Sequence, residues 1–99
     1  MENKNNKFSE TEFGKLEKEL EILASKQRLA ILSYLKKSGQ RSVGSIADKV
    51  RISFKATSKH LLYLAKNGVL NRRYDGPFVV YRISDNLSEL VRLVISQLT

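Results

Sequence analysis

Between Ser42 and Gly68 the chain has room for two helices and little else, and that stretch limits the fold more than any other. Ser42 can cap a short helix whose apolar residues are Val43, Ile46, Ala47 and Val50. Arg51 and Ile52 leave space only for a tight turn, because Ser53 can cap again and a helical period runs from Phe54 to the stop signal at Gly68. The pair is predicted as helices 43–50 and 54–67, joined by about three residues. In the second helix Phe54, Leu61, Leu64 and Ala65 are expected to face the core. Lys55, Ser58, Lys59 and His60 fall on or beside the opposite face.

The hydrophobic period changes after Gly68. VLNRRY and FVVYRI are rich in β-branched and aromatic residues, and DGP between them supplies turn chemistry, so residues 69–83 read as a β-hairpin with Arg72 and Arg73 near its tip. Upstream, a helix over 10–24 is signalled by a capping box of Ser9 with Glu12 and a hydrophobic staple of Phe8 with Phe13. Ser25 can cap another over 26–37, which KKSG closes with lysines and then glycine. A last helix over 86–98, capped by Asp85 or Asn86, carries an aliphatic stripe of Leu87, Leu90, Val91, Val94, Ile95 and Leu98. The predicted fold is mainly α with a β-hairpin wing, an α+β arrangement. One domain over 9–99 follows a flexible tail of residues 1–8.

Charge divides the chain. Residues 1–24 carry four lysines against six glutamates, whereas residues 25–99 carry fourteen Lys/Arg against four acids. From Lys49 to Arg73 there are seven cations (Lys49, Arg51, Lys55, Lys59, Lys66, Arg72, Arg73) and no acid, the electrostatic footprint of a phosphate-backbone binder. The absence of cysteine excludes disulfides and thiolate metal sites. MENKNNKFSE lacks the apolar core of a signal peptide, and charge or polarity interrupts every apolar run. The expected compartment is the cytoplasm, with no membrane partner.

His60, the chain's one histidine, has no partner at metal-ligand spacing and no nucleophile to activate, so neither catalysis nor a metal or other cofactor is expected. Its place among lysines on a polar helix face fits DNA contact or orientation. Ser9, Ser25, Ser42 and Ser53 read as helix caps rather than nucleophiles. Tyr34, Tyr63, Tyr74, Phe78 and Tyr81 are spaced for core and wing packing rather than as a stacking platform for single strands.

A short helix, a tight turn, a longer helix and a basic hairpin make a winged helix-turn-helix, whose second helix enters the DNA major groove. LASKQRLAILSYL, ISFKATSKHLLYLAKNGVL and RRYDGPFVVYRI together resemble the ArsR/SmtB-type winged-helix transcriptional regulators from about Leu23 to Ile83. The resemblance implies recognition-helix contacts at Lys55, Ser58, Lys59 and His60, and wing contacts at Arg72, Arg73 and the tip at Asp75 and Gly76. Thr57 is also of a type that reaches base edges. Phe54 departs from the pattern, standing where the family often has a polar residue. The family's thiolate pair lies in a CVC segment, matched here by Ser42, Val43 and Gly44. Its last-helix metal site needs histidines and carboxylates, of which only Glu89 is present.

The expected function is a dimeric regulator of double-stranded DNA. It would repress by binding a pseudo-palindromic operator through helix 54–67 in the major groove and wing 72–78. Phe13, Leu16 and Leu20 on the first helix, with the stripe of Leu87, Leu90, Val91, Val94, Ile95 and Leu98 on the last, are the expected homodimer interface. The sequence names no effector. The rival is a winged-helix module for an acidic protein partner, with only weak non-specific DNA binding.

Overall fold

The structure is a computed structural model describing residues 8–99, with side chains from residue 11. The expected tail, the capping box at Ser9 and the staple at Phe8 therefore lie outside the described side chains. The elements are α1 (Phe8–Leu23), α2 (Lys26–Ser38), β1 (Arg41–Ser42), α3 (Val43–Val50), α4 (Phe54–Lys66), β2 (Leu70–Asp75), β3 (Phe78–Ile83) and α5 (Glu89–Gln97). This is the winged helix-turn-helix.

Three of the expected caps form. The hydroxyls of Ser25, Ser42 and Ser53 accept from the backbone N–H of Arg28, Ser45 and Ala56, at 3.2, 3.2 and 3.0 Å. Between α3 and α4 the chain reverses through Arg51, which adopts the left-handed conformation at φ 62° and donates its N–H to the Ala47 carbonyl.

The last helix differs from the expectation. It starts at Glu89, where Ser88 is the cap and accepts from the Val91 N–H at 3.2 Å. Asp85 and Asn86 are occupied elsewhere. Asp85 meets the Arg82 guanidinium at 3.4 Å, and the Asn86 N–H donates to the Ser84 hydroxyl at 3.0 Å, making a turn where a helical start was expected. Leu87 consequently lies in a connector.

A third strand was not foreseen. β1 is two residues long, too short to carry a period, and it pairs antiparallel with β3 in the order β1-β3-β2 (Arg41 opposite Tyr81, Ser42 opposite Val80). In the hairpin Asp75 faces Phe78 across Gly76 and Pro77. Gly76 has φ 62°, as a two-residue primed turn requires at its first position.

The core is one cluster. Ile31, Leu32 and Leu35 of α2, Ile46 of α3, Leu61 and Leu64 of α4, Leu70 and Tyr81 of the wing, and Val91 and Ile95 of α5 are all buried in it. Among the described residues no helix is long and apolar enough to cross a membrane.

Helix α1 ends without a glycine, and a side chain shares the capping. Arg28 donates from Nε to the Ile22 carbonyl at 2.6 Å and from Nη2 to the Glu21 carbonyl at 2.9 Å, while its guanidinium lies 4.6 Å from the Tyr63 ring centroid. Backbone N–H groups of Ala24 and Ser25 bond the Leu20, Glu21 and Leu23 carbonyls, and this one cation adds bonds to Glu21 and Ile22, opposes the negative end of the dipole and ties α1 and α2 to α4. The end of α5 is held similarly. Lys36 donates to the Ser96 and Leu98 carbonyls at 3.1 and 2.8 Å, and the Ser33 hydroxyl donates to the Thr99 carbonyl.

Candidate nucleic-acid interface

The outward face of α4 has two edges. At 3.6 residues per turn, Lys55, Lys59 and Lys66 line one edge, and Phe54, Ser58 and Leu62 line the other. The lysines are exposed and Ser58 is half-buried. The second edge borders a groove of about 260 Å³ between α4 and the wing, floored by Ser42 and Gly44 and closed by Arg72 and Phe78.

Two expected positions on this helix change sides. Phe54, expected in the core, is 61% exposed although it stands seven residues before the buried Leu61, because it is the first residue of α4, at the end of the helix. Thr57, expected to touch bases, is fully buried on the line of Leu61 and Leu64, and its hydroxyl has no hydrogen-bond partner. It cannot reach a base edge from there.

His60 is turned toward α2. Its Nδ1 accepts from Arg28 Nη1 at 3.3 Å and its Nε2 donates to the Gln27 side-chain carbonyl at 3.3 Å, the pattern of a neutral ring protonated on Nε2. The histidine therefore orients α4 against α2. Burial, and then the neighbouring Arg28 charge, push its pKa below the ordinary histidine value. Its neutral form is favoured by the fold, so its contribution to stability is present above the unfolded pKa and is lost as pH falls through the lower folded one. Denaturant midpoints at pH 7.5 and 5.5 should accordingly fall more with acid for the parent than for His60→Gln. Equal falls would remove His60 from the acid response.

The two wing arginines, both exposed, are on opposite faces of the hairpin. Arg72 points to the groove beside α4, donates from Nε to the Tyr81 hydroxyl at 3.2 Å and lies 5.2 Å from the Tyr74 ring centroid. Hydrogen bonding with Tyr74 and Tyr81 raises its pKa further, keeping it charged. Arg73 leaves the other face and donates to the Gln40 side-chain carbonyl at 3.1 Å. Tyr81 packs in the core as expected, whereas Tyr74 and Phe78, expected to pack within the wing, are exposed on it. At the tip, Asp75 and Gly76 are exposed too.

All seven cations from Lys49 to Arg73 are solvent-exposed, and among the described residues none of them forms a salt bridge. Their field is directed outward from α3, α4 and the wing.

At the positions of the family's thiolate pair, Ser42 is the cap of α3 and Gly44 lines the groove toward the wing, with Val43 between them in the core. Among the described residues no three His, Cys, Asp or Glu side chains converge as metal ligands.

Of the nine expected interface residues on the terminal helices, Val91 and Ile95 belong to the protomer's own core, and Leu87, Leu90, Val94 and Leu98 are partly buried. The exposed apolar strip consists of Phe13, Leu16 and Leu20 of α1 and Leu93 of α5, a residue outside the expected stripe, with the half-buried Leu90 beside it. The stripe faces inward because a nine-residue helix packed on a small body spends its best apolar face on that body.

Known proteins share this arrangement. The family described as "Bacterial regulatory protein, arsR family" matches residues 25–72. The transcriptional activator HlyU of Vibrio cholerae is 34% identical over 65 residues, covering 66% of this chain and 59% of that protein's length. A structure of reduced HlyU from Vibrio cholerae superposes with a TM-score of 0.74 at 31% identity, covering 88% of this chain and 87% of that one. The antimony-specific transcriptional repressor AntR superposes at 0.77 with 27% identity, covering 91% and 78%. A homodimeric winged helix-turn-helix DNA-binding domain from Mycobacterium bovis superposes at 0.73 with 25% identity, covering 97% and 84%. With its helix-turn-helix, basic wing and matching sequence, the chain belongs to the ArsR family of bacterial regulatory proteins, DNA-binding transcription regulators rather than enzymes.

Proposed function

We propose that this chain binds a pseudo-palindromic operator as a homodimer, with α4 in the major groove and the wing, residues 72–78, against the flanking backbone or minor groove. The observation that carries this reading is the run of seven exposed, unopposed cations that coincides with the helix-turn-helix and wing. Lys55, Ser58 and Lys59 are the base-reading and phosphate-holding residues of α4, Arg72 and Arg73 are the backbone contacts of the wing, and His60 positions the helix.

The dimer is supported by the apolar strip along α1 and α5, a surface that water otherwise covers, and by the homodimeric Mycobacterium bovis relative. We assign the action as repression, because occluding a promoter requires only the DNA contact itself. The relatives include proteins described as an activator and as a repressor, so the shared fold supports either sign.

Replacing Arg72 and Arg73 together by alanine should weaken operator and random duplex alike. The log-log salt slope should become shallower by about 0.9 for each phosphate that the wing no longer neutralises. Fluorescence titration across a salt series measures both quantities. An unchanged slope would exclude the wing from phosphate binding. If the parent bound no duplex at roughly tens of micromolar at physiological salt, a protein-binding module would replace the DNA reading.

A further inference from the structure

Phe54 is the most exposed large apolar residue of α4 and lines the mouth of the groove toward the wing. It follows the Ser53 cap and opens the helix, yet 61% of its surface is exposed. Its edge continues along α4 through Ser58 and through Leu62, itself 47% exposed. The cationic edge begins next to it at Lys55. The N-terminal end of a recognition helix is the end that meets base edges, so Phe54 occupies a position where a polar side chain would exchange hydrogen bonds with a base.

A phenyl ring has no donor or acceptor. Pressed against guanine, adenine or cytosine in the major groove, it would strip water from N7, O6 or an exocyclic amine and return nothing, a net cost. Thymine alone presents an apolar group there, the C5 methyl. Phe54 is thus suited to one base and penalises the others. The geometry points to Phe54 as a specificity-determining residue that reads a thymine methyl in each operator half-site. This inference deepens the regulator reading and rests on it.

The test begins with an operator selected from a random duplex library by the full parent chain. Each half-site thymine is then replaced in turn by deoxyuridine, which pairs identically and lacks only the methyl. At one thymine per half-site the parent should lose about fourfold in affinity per half-site, the worth of one buried methyl-sized group. Phe54→Ala should bind the thymine and uracil forms equally at that position, and Phe54→Leu should retain part of the preference. Phe54→Ala should also keep the parent's melting temperature, since the ring is outside the core.

A selected operator with no thymine whose methyl effect disappears in Phe54→Ala would overturn the assignment while leaving the DNA reading intact. A large drop in melting temperature would overturn it as well, by making the ring structural. Failure to select any sequence would remove the regulator reading together with this one.

Discussion

Arg28→Ala should be the most damaging single substitution among the charged residues, lowering stability by about 2–3 kcal/mol. The side chain holds two carbonyls at the end of α1, stacks on Tyr63 and donates to His60, so its removal strips the Ile22 carbonyl of its donor, weakens the hold on Glu21 and frees the flank of α4. For a domain of this size the melting temperature should fall by on the order of 10 °C, with protein concentration held fixed because a dimer's melting depends on it. Arg28→Lys should recover little, since an ammonium cannot reproduce the planar fork. A melting temperature within a degree or two of the parent's would show that α1 is capped in some other way.

Leu20→Lys combined with Leu93→Lys should have the largest effect on association. These side chains are 54% and 58% exposed in the protomer, so the protomer's own packing should change by only about 0.5 kcal/mol per site. In a dimer the same positions would bury two lysines per chain against an apolar face. Sedimentation should find a folded monomer at tens of micromolar. Operator affinity should drop by about a hundredfold or more, because each protomer then engages its half-site alone. A dimer persisting in this variant would move the interface elsewhere. Removing α5 altogether would not separate these effects, since Val91 and Ile95 complete the protomer's core.

The order of elements was legible because its signals are local. Ser25, Ser42 and Ser53 cap their helices within three residues of themselves, and Gly76 with Pro77 sets the hairpin. What escaped depends on competition or on distance. Asp85 is a good cap by type, but Arg82 engages it and Ser88 begins the helix instead. Nothing in a two-residue strand can announce β1.

At the site, residue type misled for Thr57, where helical angle would have decided. Thr57 stands four residues before Leu61 and seven before Leu64, so the spacing already placed it on the buried line. Phe54 looked like core by type and by its seven-residue spacing to Leu61, and is exposed because it opens the helix. Arg28 was only partly readable from its neighbours in sequence, because its contacts with Tyr63 and His60 come from a helix more than thirty positions away. Its presence in LASKQRLAIL was the available signal.

Whether α4 itself reads the operator is decided by the ratio of operator to random-duplex affinity. With Ser58 and Lys59 both replaced by alanine, that ratio should fall by about tenfold or more while the wing continues to hold non-specific DNA. An unchanged ratio would contradict insertion of α4 into the major groove.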